Sequence, residues 1–293
     1  MLLNEYLASR QRLVDRALDD FLPRATTKPA TIHKAMRYSL FAGGKRLRPI
    51  LCLAAAEACG GSPESALHAA CAVECVHTYS LIHDDLPCMD NDDFRRGKPT
   101  SHKVFGEGLA VLAGDALLTI AFELLAQATP RARYSTGALI RELTTAAGSR
   151  WLIAGQVIDL ESEGKKVSGR ELQFIHKAKT AALLTTSIRL GGMSANSTAP
   201  RLQSLNDFGQ ALGLAFQVID DILDVTQTSE KLGKSAGKDA AAQKATYPSV
   251  FGLDRSRKEA RQLTNNAHAA LAPFGKNGAR LHELADHLLV REY

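Results

Sequence analysis

Aromatic residues are scarce, at 6% of the 293-residue chain with a single tryptophan. That poverty argues against an all-β fold, whose strands draw on aromatic side chains, and against a stacking platform for single-stranded nucleic acid. No dense basic block occurs. The net charge is +5, but the lysines and arginines are spread along the chain, so a basic cleft for a small anion fits at least as well as a nucleic-acid surface. The five cysteines, Cys52, Cys59, Cys71, Cys75 and Cys88, contain no CxxC pair. Their odd number and their placement, mostly in apolar helical runs, point to reduced thiols and a cytoplasmic setting. The start, Met1-Leu2-Leu3-Asn4-Glu5, does not read as a signal peptide. The longest apolar stretch, 108–128, is interrupted by Asp115 and Glu123 and reads as a buried bundle helix, not a membrane span. Linker, fixed-period repeat and low-complexity segment are all missing. The length alone allows about two domains, yet one domain over residues 1–293 is the expectation.

What is present is alanine and leucine within a 45% hydrophobic composition, which favours helix. Apolar residues at helical spacing predict helices over 3–20, from Thr31 to Ala42, and over 50–59, 63–85, 109–128, 134–163, 169–191, 202–226, 248–272 and 279–290. Ser168 and Glu171 form a capping box, and Gly191-Gly192 is expected to end the helix that follows. The fold expected is all-α.

Carboxylates interrupt this pattern at two places: His83-Asp84-Asp85-Leu86-Pro87-Cys88-Met89-Asp90, and Gln217-Val218-Ile219-Asp220-Asp221-Ile222-Leu223-Asp224. Both close long apolar runs, and three clustered carboxylates repel one another unless a cation sits among them. Arginines or lysines follow each cluster, so the pair describes a pocket that holds a diphosphate through Mg2+. Asp220 and Asp224 share a helix face, whereas Asp84 and Asp90, six apart, lie about 240° apart on a straight helix. Pro87 therefore predicts a bulge at 86–89 that returns Asp90 to Asp84. Asn91-Asp92-Asp93 reads as a solvated turn. Upstream, Gly43-Gly44-Lys45-Arg46-Leu47-Arg48-Pro49 frees the backbone to approach an anion that Lys45 and Arg48 reach; the plainer reading is a helix C-cap with cations at the dipole. Gly233-Lys234-Ser235 resembles part of a P-loop, but the upstream glycine is replaced by Thr228 and no strand precedes it.

Five stretches together resemble the trans-isoprenyl diphosphate synthases, most closely the bacterial (type II) farnesyl diphosphate synthases. They are Gly43 to Pro49, Asp84-Asp85-x4-Asp90 with Arg95-Arg96-Gly97, Gly155-Gln156-x-x-Asp159, Lys179-Thr180, and Gln217-x-x-Asp220-Asp221-x-x-Asp224 with Lys234. The resemblance implies an isoprenoid-synthase-type helical bundle around a central cavity, working as a homodimer. It implies Mg2+, three ions with substrate bound and replaceable by Mn2+, on Asp84, Asp90 and Asp220, with Asp85, Asp221 and Asp224 one step behind. Dimethylallyl or geranyl diphosphate would meet Arg95, Lys179, Thr180, Gln217, Lys234 and Lys244. Isopentenyl diphosphate would meet Gly44, Lys45, Arg48, His77 and Arg96. Condensation would give farnesyl diphosphate, C15, because in this family residues just upstream of the first aspartates set product length, and here these are Tyr79 and Ser80. The Leu86-Pro87-Cys88-Met89 insertion also resembles plant-type geranylgeranyl diphosphate synthases, so a C20 product is the alternative. A class I terpene cyclase would not need Lys45 and Arg48, and a non-catalytic synthase subunit would be expected to lose aspartates from one cluster. Neither loss is seen. A lid over 231–239 and an approach of Arg291 to the isopentenyl site complete the expectation.

Overall fold

The computed structural model describes residues 1–130, 132–226 and 245–289; Lys234, Lys244, the expected lid and Arg291 lie outside them. The described residues are overwhelmingly helical. The helices are α1 (Leu3–Phe21), α2 (Ala30–Leu40), α3 (Leu47–Ala58), α4 (Leu67–Asp84), α5 (Ser101–Phe105), α6 (Glu107–Gln127), α7 (Thr136–Ala147) and α8 (Leu152–Glu161), followed by α9 (Gly169–Ile175), α10 (Ala182–Ser194), α11 (Ala199–Thr226), α12 (Tyr247–Phe251), α13 (Leu253–Ala270) and α14 (Ala279–Leu289). A two-residue hairpin, β1 (Phe94–Arg95) and β2 (Lys98–Pro99), is the only sheet among them.

Burial separates inner helices from outer ones. On α4 every residue from Ala69 to Val76 is buried, Glu74 included, as befits a helix enclosed on all sides. α3 and α10 are nearly as enclosed. By contrast α1 buries Tyr6, Val14, Ala17 and Leu18, one stripe of an amphipathic helix. The core is one continuous cluster running from Tyr6 to Leu289. α3 packs on α10, α4 on α6, and α11 on both α10 and α13.

Several boundaries differ from the periodicity. The second helix begins at Ala30 behind Pro29, so Thr31 lies inside it rather than capping it. The segment 134–163 is two helices, because Gly148 to Trp151 leaves helical geometry. Gly191-Gly192 does not end α10. A Cβ on Gly191 would collide with the Cys52 carbonyl of α3, so here glycine allows close packing instead of a stop. The Ser168–Glu171 capping box forms as expected.

Candidate active site

α4 stops at Asp84, and Pro87 sits in the turn that follows. The Asp90 N–H donates to the Asp84 carbonyl at 2.9 Å, while those of Met89 and Asn91 donate to the Leu86 carbonyl at 2.9 and 3.0 Å. The expected bulge is thus a helix end and a compact turn, with the same result: Asp90 returns to Asp84. Burial pushes the Asp84 carboxyl up to about 6; Asp90 and Asp85 add to the shift, and Lys179 and Arg95 oppose it. Asp85 points elsewhere. It accepts from Arg95 Nε at 2.8 and 2.9 Å and from Nη2 at 2.5 Å, a forked pair. The β1–β2 turn, with Gly97 at φ +73°, carries Arg95 and Arg96 back beside α4.

The glycine loop lies next to this hairpin. Gly43 and Gly44 have φ of +100° and +123°, and a Cβ on Gly44 would lie 2.5 Å from Arg96 Nη1. That same nitrogen donates to the Gly43 carbonyl. Arg48 and His77 are half-buried behind the loop, and Lys45 is exposed. Burial and the charge of Arg96 push the Arg48 guanidinium down, with Glu74 opposing. His77 falls well below its ordinary value through burial and then Arg48 and Arg96, so its imidazole is neutral at pH 7. Arg48 Nε is an inner donor with no acceptor among the described residues. Cations crowded around unused donors make a site for an anion.

The third group sits on a π-helical turn, His176–Ala181, between α9 and α10. One extra residue in this turn re-aims the side chains around it. Lys179 Nζ reaches Asp159 of α8 at 2.7 Å. Gly155 lets α8 approach the π turn closely: a Cβ there would lie 2.5 Å from the Lys179 backbone nitrogen. Thr180 Oγ1 donates to Gln217 Oε1 at 3.0 Å, and Gln217 Nε2 donates to Asp221 at 3.1 Å. Asp221 also accepts the Tyr247 N–H at 2.7 Å and lies 3.3 Å from His176 Nε2. It is therefore committed to holding α11, α12 and the π turn together. Asp220 stays half-exposed, and Asp224 keeps a buried oxygen with no hydrogen-bond partner among the described residues.

Among the described residues no three acidic, histidine or cysteine side chains converge closely enough to hold a metal by themselves. The donor set still suits Mg2+, which takes oxygen ligands and is commonly held by one or two carboxylates plus substrate phosphates. Burial disfavours the charged form of Asp84, and one buried Asp224 oxygen has no hydrogen-bond partner among the described residues; a bound cation would answer both.

The chain-length candidates lie deeper on α4. Tyr79 is 7% exposed and meets the His83 ring edge-on at 5.7 Å. Ser80 turns its hydroxyl back to the His77 carbonyl at 2.9 Å. A cavity of about 440 Å3 lies away from these groups, between Arg141, Trp151, Lys177, Thr185 and Arg189, and includes none of the aspartates named above.

Two residues of this region are not singled out by spacing: Arg46 and Glu74. Their buried pair, 2.8 Å apart, lies under the glycine loop. A carboxylate inside the apolar run from Ala69 to Val76 is the available signal, since it needs a partner.

The polyprenyl synthetase family model matches residues 29–273. The chain is 51% identical to the heterodimeric geranylgeranyl pyrophosphate synthase large subunit 1, chloroplastic, of Arabidopsis thaliana, over 98% of this chain and 79% of that protein. It is 48% identical to a dimethylallyltranstransferase of Fischerella ambigua (strain UTEX 1903), over 99% and 84%. An apo FPP/GFPP synthase from Zymomonas mobilis superposes with a TM-score of 0.85 at 34% identity, covering 98% of this chain and 99% of the other.

Proposed function

This chain belongs to the polyprenyl synthetase family of trans-isoprenyl diphosphate synthases, and we propose that it joins isopentenyl diphosphate to an allylic diphosphate with Mg2+. One observation supports the reading: cations gather in two separate groups, each suited to an anion. One is a cluster of cations without metal-binding carboxylates, Lys45, Arg48 and Arg96 with neutral His77. The other has Arg95 and Lys179 beside aspartates. A reaction with two diphosphate substrates needs both, whereas a cyclase needs only the second.

In this reading the allylic diphosphate lies between Arg95 and Lys179. Asp84, Asp90 and Asp220 hold Mg2+, which supplies positive charge for the departing diphosphate. The allylic C–O bond breaks, and both of its electrons leave with the diphosphate. The oxygen dipoles of Thr180 and Gln217 face the carbon left behind, and the apolar wall excludes water from it. The isopentenyl double bond then forms the new C–C bond, and one proton passes to the released diphosphate. Lys45, Arg48, His77 and Arg96 hold the isopentenyl diphosphate while this happens.

Similarity to the Arabidopsis geranylgeranyl pyrophosphate synthase large subunit favours geranylgeranyl diphosphate, C20, as the product. Tyr79 favours a second reading, farnesyl diphosphate, because a buried ring below Asp84 is placed to act as a floor. The chain acts as one domain and as a homodimer, and its five unpaired thiols fit a reducing cytoplasm.

The test is product length. Protein, Mg2+, isopentenyl diphosphate and geranyl diphosphate are incubated, and the dephosphorylated alcohols are sized. A C20 alcohol supports the first reading and a C15 alcohol the second. Diphosphate release without condensation would replace both with a cyclase.

A further inference from the structure

Arg46 stands between two residues assigned to the isopentenyl diphosphate, yet its side chain turns the other way. Its backbone is left-handed, φ +49° and ψ +36°, at the start of α3. That conformation is uncommon for a residue with a Cβ and persists only where surrounding contacts enforce it. The contacts are present. Arg46 Nε donates to Asp15 of α1 at 2.8 Å, Nη1 to Glu74 of α4 at 2.8 Å, and Nη2 to the Leu40 carbonyl at the end of α2 at 2.7 Å. Its side chain is 2% exposed, as is that of Glu74. One planar guanidinium thus ties three helices together beneath a loop that also holds the positive-φ glycines Gly43 and Gly44. From the other side, Gln11 Nε2 donates to the Gly44 carbonyl at 3.2 Å, and Arg96 donates to that of Gly43.

Turning Arg46 inward fixes the backbone on which Lys45 and Arg48 are carried. Without the anchor, the glycine loop would regain the freedom that glycine has in abundance. Charge acts in the same direction. Glu74 is a buried carboxylate close to this group of cations, and it opposes the downward shift of both Arg48 and Arg96. Removing Arg46 would leave Glu74 without its partner and lower the positive potential at the anion site. Both the geometry and the field therefore weaken isopentenyl diphosphate binding when Arg46 is lost.

We propose that Arg46 is a positioning residue for isopentenyl diphosphate, acting through Lys45 and Arg48 by the buried tie to Asp15, Glu74 and the Leu40 carbonyl. This rests on the condensation reading above.

Wild-type kinetics come first: failure to condense the two diphosphates would overturn that reading itself. With condensation established, Arg46→Lys separates geometry from charge, since an ammonium cannot reproduce the three-way fork. The expected result is a rise in KM for isopentenyl diphosphate of about tenfold, with KM for the allylic substrate and kcat within about threefold. An equal rise in both KM values, or a fall in kcat alone, overturns the proposal. A cycle with Arg48→Ala adds a readout that loss of stability would not move. If Arg46 acts through Arg48, the two KM effects are less than multiplicative; independent effects overturn the route through Arg48. Should Arg46→Lys fail to fold, the double variant Arg46→Met/Glu74→Gln removes both buried charges together. It must show the same selective rise in KM, and unchanged affinity for isopentenyl diphosphate overturns the proposal.

Discussion

Tyr79 lies five residues before Asp84, roughly 7–8 Å deeper along α4. Its ring is backed by His83, whose Nε2 meets the Val111 carbonyl of α6 at 3.0 Å. A ring held in this way resists displacement by a growing apolar chain, so Tyr79→Ala should lengthen the product by at least one isoprene unit, seen by sizing the alcohols. An unchanged distribution would remove Tyr79 as the floor. Asp84 makes a different prediction. Its carboxyl rises from 3.8 to about 6 on folding, so it contributes stability below about pH 4 that is lost as the pH rises through 6. In EDTA at pH 8, Asp84→Asn should therefore be more stable than wild type by up to about 3 kcal/mol, and at pH 4 nearly equal to it, in denaturant melts. Turnover with Mg2+ should fall by about a thousandfold or more in the same variant. A stability loss at pH 8 would contradict the burial argument. At this scale the aspartate pairs are legible from spacing, because carboxylates that close an apolar run must have a cation to offset their burial. Arg46 is not, since nothing in Lys45-Arg46-Leu47-Arg48 tells which of the three cations turns inward; a left-handed φ does.

Among the elements, α10 shows where spacing misleads. Gly191-Gly192 resembles a helix stop, and periodicity reads 169–191 as one uninterrupted helix. In the fold the glycines lie inside α10, and the helix is interrupted earlier by the π turn that carries Lys179 and Thr180. Both features depend on neighbours: a carbonyl of α3 against Gly191, and α8 against the π turn at Gly155. Sequence periodicity counts residues along one chain segment and cannot register what approaches from another. Gly191→Ala should therefore destabilise by about 1–3 kcal/mol through overpacking against the Cys52 carbonyl, with a lower melting temperature but little change in either KM once folded. An unaffected melting temperature would show that α3 and α10 can move apart. The Ser168–Glu171 box is legible for the opposite reason, being completed within four residues.

For the whole molecule, α6 carries the expectation of a homodimer. The stretch 108–128 reads as a buried bundle helix, and one side of α6 does pack on α4 and α2. The other side is open among the described residues: Leu112 is 54% exposed beside exposed Val111. An apolar helix face of this kind in a helical bundle calls for a partner surface, and a second copy offers an identical one across a two-fold axis. Leu112→Asp should convert a dimer of twice 31.6 kDa to a monomer in light scattering; an unchanged mass would place the interface elsewhere. The product should report the same event. Tyr79 leans on His83, and His83 fills the space above Gly114 on α6 and meets the Val111 carbonyl. If the dimer clamps α6 from outside, it stiffens the wall behind the ring, and a monomeric variant should release a broader range of alcohols, shifted toward longer chains. A monomer with the wild-type product would separate the two, leaving the floor to α4 and α6 of one chain alone.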